Sequence, residues 1–149
     1  MPAHPDLIRQ NAQFEKQIHS LGHGVYSAIG YAASNVHFLL GEAGVVVIDT
    51  TETTQAAQNI LEDFRAISKL PITTILYTHS HRDHISGATV FSEGREIEII
   101  AADNFASDLV STGIERPASY AALMARTERQ FVISLAPNES VSLGVGPGD

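Results

Sequence analysis

The chain contains no cysteine in its 149 residues, which removes disulfide frameworks and thiolate metal sites together. It also lacks a long apolar run. The longest, Val45-Val46-Val47-Ile48, falls far short of the roughly 20 residues that a bilayer-spanning helix needs. Met1-Pro2-Ala3-His4-Pro5-Asp6 offers no basic stretch followed by an apolar one, so no secretory signal is legible here. Positive charge is scarce: 9 Lys and Arg stand against 17 Asp and Glu, a formal net charge of -8. That balance argues against a partner gripped through its phosphates, nucleic acid and anionic membrane alike. No internal repeat or low-complexity tract breaks the chain. With 44% hydrophobic and 17% charged residues, it reads as one soluble globular domain. The compartment stays open between cytoplasm and, had a leader been removed, periplasm.

Residues 1–20 are polar, with Leu7, Ile8, Phe14 and Ile18 loosely spaced, and are expected to form an N-terminal arm or surface helix. Residues 21–149 form the domain proper. Val25 to Ile29 and Asn35 to Leu40 read as strands, the second reaching a turn at Gly41 to Gly44. Val45 to Asp49 follows at once; apolar on both faces, it is expected to be an inner strand. Thr53 or Thr54 can cap the next segment, where Ala57, Ile60, Leu61, Phe64 and Ile67 fall on one helical face before Pro71 ends it. Ile72 to Thr78 is the next strand. A short helix from Ile85 to Phe91, a strand over Ile97 to Ala101 and a helix from Phe105 to Val110 are expected beyond it. The stretch after Pro117, through Tyr120, Met124 and Phe131, also looks helical.

The strand at 72–78 delivers the chain into His79-Ser80-His81-Arg82-Asp83-His84, four metal-capable side chains within six residues. In an extended loop His79 and His81 project to one side, so both imidazoles can reach one cation at about 2.0–2.1 Å. Asp83 and His84, one turn on, can close that site or begin a second, so one or two ions are expected. Neutral imidazole and carboxylate suit zinc, manganese and iron. Asp83 is also placed to accept or orient a proton from an activated water, the catalytic role expected of it. Gly87 is expected to keep the following turn free of bulk beside the metals.

Thr78-His79-Ser80-His81-Arg82-Asp83-His84-Ile85-Ser86-Gly87 resembles the HxHxDH signature of the metallo-β-lactamase fold superfamily. Gly44 to Thr50 is similar to that superfamily's strand ending in an aspartate, which implies that Asp49 buttresses the metal loop from behind rather than ligating. More narrowly, His4 to Leu7, Gly24 to Tyr26, Gly30 to Ala32, and Ala125-Arg126 through Gln130-Phe131 resemble the N-terminal part of bacterial alkylsulfatases. Only the metal motif among these is highly specific. The resemblance implies an α/β fold: the first half of an αβ/βα sandwich, a mixed β-sheet with flanking helices. It implies Asn35 as a substrate-binding residue at the mouth of the site, whereas His37 reads as an ordinary strand histidine.

The second half of such a sandwich should bring further ligands. After Asp103 the sequence offers Asp108, Glu115, Glu128, Glu139 and Asp149, and no histidine. The domain is therefore expected to be incomplete, with apolar strand faces left for a second copy or a complementing fragment to bury. Function is expected to be metal-dependent hydrolysis of an alkyl sulfate ester by metal-activated water. The alternatives are a lactam, thioester, lactone or phosphoester as the small-molecule substrate, or an inactive truncated fragment that binds metal. An alkyl chain would need an apolar pocket; Phe38, Tyr77 and Phe131 are the aromatics available, though all three also suit an ordinary core.

Overall fold

The computed structural model describes residues 4–111, together with Ala122, Ala125 and Arg126. Six strands form a single mixed sheet in the order β1 to β6: Gln17–Gly22, Val25–Ile29, Val36–Leu40, Val45–Ile48, Ile72–Leu76 and Glu98–Ile100. The first four pair antiparallel, and β4, β5 and β6 run parallel. Helices are α1 (Pro5–Asn11), α2 (Thr54–Ile67), α3 (Arg82–Ile85), α4 (Ala88–Phe91) and α5 (Phe105–Ser111). Among the described residues no helix is long and apolar enough to cross a membrane.

The helix α2 forms where its sequence says it should. Thr53 keeps an extended backbone and its hydroxyl accepts from the Ala56 amide at 3.2 Å, satisfying one of the orphan donors at the helix start. Ala56, Ala57, Ile60 and Phe64 repeat at helical spacing and are buried. At the far end Arg65 turns back to donate to the carbonyls of Leu70 (2.6 Å) and Ser68 (3.3 Å). The buried face of α2 meets the sheet through Phe64, whose ring stacks on Phe38 of β3 at 3.8 Å between centroids, the planes 5° apart. Phe91 of α4 closes on the same ring edge-on at 6.0 Å. Val36, Val45, Val47, Ile72 and Ile75 complete this core. Phe38 is therefore core and wholly enclosed.

Two elements differ from the sequence reading. The N-terminal segment does contain a helix, but Gln17–Gly22 is a strand that pairs with β2 and so belongs to the sheet. The expected helix over 85–91 is two short helices separated at Gly87. The reason is a close approach. A Cβ at Gly87 would lie 2.1 Å from the Thr50 carbonyl oxygen and 2.6 Å from the Ala57 Cβ. Gly87 thus keys this segment onto the β4–α2 connection, and this contact, rather than clearance beside a metal, is what the structure gives for it. The stretch after Pro117, with Tyr120, Met124 and Phe131, lies outside the described residues, apart from helical Ala122, Ala125 and Arg126.

Because β4 and β5 are parallel neighbours joined by α2, their carboxyl ends open on the same edge of the sheet. Asp49 follows one and Thr78-His79 the other. In open α/β sheets that edge is where ligands bind.

Candidate functional site

The site is built on a strained strand end. Asp49 and Thr51 both adopt left-handed backbone, φ 58° and 61°. An aspartate tolerates this, but a β-branched threonine rarely does, and such residues persist where surrounding contacts over-determine them. Here the contacts are main-chain clasps onto the motif. The Thr50 amide donates to the His84 carbonyl at 2.7 Å and its hydroxyl donates to the same oxygen at 3.1 Å. The Ser86 amide donates to the Thr51 carbonyl at 3.1 Å, and the Asp49 amide to the Leu76 carbonyl at 2.9 Å. From the other side, the buried Ser34 hydroxyl donates to the Asp83 carbonyl. The loop is therefore held in large part through its backbone, and the His79 and His81 side chains take no part in these clasps.

The carboxylate of Asp49, a residue only 4% exposed, is the hub. Oδ1 accepts from the Thr78 amide at 2.9 Å. Oδ2 accepts from the Thr78 hydroxyl at 2.7 Å and from His84 Nδ1 at 2.8 Å. With Nδ1 carrying the proton, the lone pair of neutral His84 lies on Nε2, and that atom stands 3.2 Å from Asp83 Oδ2. Asp49 thus bonds to a histidine whose side chain is itself mostly covered.

The three histidine rings cluster. The His79 ring centroid is 4.6 Å from that of His81 and 4.1 Å from that of His84. Desolvation and the neighbouring His84 and His81 rings hold the His79 pKa below its ordinary 6.5, against the pull of Asp49 and Asp83. Neutral imidazole, the form a metal accepts, is favoured there. In chemical type the donor set fits a divalent cation: imidazoles, a carboxylate in reach, and an outer carboxylate that fixes a tautomer. In arrangement, however, the side chains are not gathered into a ready-made site: no three His, Asp or Glu among the described residues stand together as a metal-binding group.

Asn35 ends the connection between β2 and β3, one residue from Ser34, and its buried Oδ1 has no hydrogen-bond partner. The connection is tied down at Tyr31, whose hydroxyl donates to Asp63 of α2, and at the Ala33 amide, which donates to Glu52 at 2.9 Å. His37 lies half-buried in β3; burial lowers its pKa, partly opposed by Asp49. Tyr77 stacks on Phe105 at 5.3 Å. Three residues that the sequence reading passed over prove central: Thr78, Thr50 and Ser34. Thr78 had a signal, as the one hydroxyl directly ahead of the first motif histidine. Ser34 had none, since its partner is 49 positions away.

A mixed sheet with a buried aspartate after one strand and a histidine-rich loop after its parallel neighbour defines a known class. Residues 29–140 match the metallo-beta-lactamase superfamily model, and the chain belongs to that superfamily, which is generally metal-dependent. Within it, the relatives are alkylsulfatases. The chain is 33% identical to the alkyl/aryl-sulfatase BDS1 of Saccharomyces cerevisiae over 95% of its own length and 23% of that protein's. It is 32% identical to a linear primary-alkylsulfatase of Pseudomonas sp., over 70% of the chain and 20% of the relative. The solved structure of a stereoselective inverting sec-alkylsulfatase from Pseudomonas sp. superposes with a TM-score of 0.72 at 24% identity, covering 97% of this chain and 24% of that one. A metallo-beta-lactamase from Hirschia baltica shares the fold at a TM-score of 0.55 and 20% identity, over 66% of this chain and 48% of its own. The chain spans less than a quarter of the length of the alkylsulfatases it matches.

Proposed function

We propose that this chain carries part of the active site of a metal-dependent hydrolase of alkyl sulfate esters. His79, His81, Asp83 and His84 would hold its metal, one or two divalent ions, with zinc as the leading choice and manganese or iron as the alternatives. A bound cation supplies Lewis acidity and a water of lowered pKa. This chain's residues do the rest. Asp49 fixes the ring of His84, and Asp83 stands at the loop's open side (its side chain is 40% exposed) to orient or accept a proton. Asn35 is the substrate-binding residue of this proposal, its carboxamide donating to a sulfate oxygen.

One observation carries this reading: a buried carboxylate pins the Nδ1 proton of His84 at a strand exit where His79 and His81 crowd the same loop. The alkylsulfatase relatives support the sulfate ester as substrate.

The test uses this chain and any longer protein that contains it. Each is freed of metal, reloaded with zinc alone or manganese alone, and assayed for sulfate release from dodecyl sulfate and for turnover of p-nitrophenyl phosphate. Metal-dependent sulfate release is expected. Phosphoester turnover without sulfate release would overturn the substrate, and full activity after exhaustive chelation would overturn the metal dependence.

A further inference from the structure

Thr78 touches two members of the site at once. Its hydroxyl oxygen lies 2.7 Å from Asp49 Oδ2 and 2.9 Å from His79 Nδ1. Proton accounting decides the directions of these two bonds. A carboxylate only accepts, so the proton in the first bond is the hydroxyl's own. The hydroxyl has just one proton, so the second bond must be supplied by the imidazole, as Nδ1–H donating to Oγ1.

We infer that Thr78 is a positioning residue that relays the Asp49 carboxylate to His79, fixing that ring as the Nδ1–H tautomer with its lone pair on Nε2. Asp49 performs the same service for His84 directly, through Oδ2. One buried oxygen thereby sets two rings whose centroids are 4.1 Å apart; the His79 lone pair is left on Nε2, while His84 Nε2 faces Asp83 Oδ2 at 3.2 Å. The Thr78 amide, donating to Asp49 Oδ1 at 2.9 Å, stops the carboxylate from rotating away from this duty. Hydrogen bonds of this kind to ligating histidines fix ring orientation, and their loss typically costs 10–100-fold in metal affinity. The consequence for metal affinity rests on the metal-binding reading above; the tautomer does not.

The experiment compares the full chain with Thr78→Val, which keeps the shape and loses the hydroxyl, and Thr78→Ser, which keeps the hydroxyl. Ring nitrogens are read by long-range 1H–15N correlation without metal, about 2 pH units above the ordinary histidine pKa of about 6.5. The His79 signals are assigned through His79→Gln. The parent protein and Thr78→Ser should show His79 as Nδ1–H. Thr78→Val should shift it toward the Nε2–H form that an unconstrained ring prefers. Nε2–H in the parent, or Nδ1–H undiminished in Thr78→Val, overturns the relay, and the parent spectrum decides even if Thr78→Val fails to fold. A second arm titrates zinc alone against a competing indicator: Thr78→Val should weaken binding roughly 10–100-fold and Thr78→Ser should restore it. Nδ1–H in the parent with no zinc binding at all would leave the relay standing and sink the metal reading instead.

Discussion

Replacing Asp49 by asparagine isolates what the carboxylate does, because it changes almost nothing else. Asparagine has the same shape and accepts left-handed backbone at least as readily as aspartate, so the φ of 58° is no obstacle. The hydrogen bonds are. With its carbonyl oxygen in the Oδ1 position, the amide keeps the Thr78 N–H bond of 2.9 Å, but its NH2 then faces both the Thr78 hydroxyl and His84 Nδ1. The hydroxyl can rotate to accept. The imidazole can accept only by moving its proton to Nε2. In the opposite orientation the NH2 meets the Thr78 amide, donor against donor. A hydrogen bond to a charged partner is worth about 1.5–3 kcal/mol, and three of them lose their charge here. Part of that loss is offset, since a carboxylate no longer has to be desolvated. A net destabilisation of about 2 kcal/mol follows, or a fall in Tm of about 4–8 °C for a chain of this size. Zinc affinity should drop roughly 10–100-fold. Thermal denaturation, ring 15N shifts and zinc competition read the three effects. A stable Asp49→Asn protein whose His84 still carries its proton on Nδ1 would refute the reasoning.

Three further outcomes are expected. Burial lowers the pKa of His37, so the unfolded chain takes up that proton at a higher pH than the folded one. Its contribution is therefore stability present above about pH 6.5 and lost as the pH falls toward the lowered value, and His37→Gln should flatten that acid-side slope in denaturant midpoints measured across pH. Gly87→Ala forces a methyl group against the Thr50 carbonyl at 2.1 Å, so the main chain must move; a loss of about 3 kcal/mol is expected, and an unchanged midpoint would show that the clasp yields easily. Phe38→Ala and Phe64→Ala should each cost about 3–5 kcal/mol, with a double mutant roughly 0.5–1.5 kcal/mol less destabilised than their sum, because the stacked pair is lost only once. Strict additivity in that cycle would deny the stack any energy of its own.

Much of this was legible in the sequence for a reason that can be stated. The strand β4, the helix α2 with its threonine cap and the strand β5 each bury a regular apolar set, and burial imposes a period that composition cannot hide. The motif was legible because its residue types are unusual together. The strand β1 was not: its residues are mostly exposed, so Gln17, His19 and Ser20 carry no alternation to read. Gly87 could be seen as a glycine that mattered, but its neighbour is a carbonyl 37 positions earlier, and no local pattern encodes that. The aspartate at the end of β4 was recognisable by resemblance, whereas the convergence of two donors on one of its oxygens is visible only in three dimensions.

The backbone clasps around the loop have a consequence for how this scaffold can change. Thr50 and Ser86 secure it largely through main-chain amides and carbonyls, with the Thr50 hydroxyl as a side-chain addition, while the His79 and His81 side chains are exposed and contribute nothing to those bonds. Such a socket can exchange its teeth without losing its grip. Substitutions at those two histidines should therefore leave folding nearly intact, which lets selection remodel the exposed side chains and the framework separately.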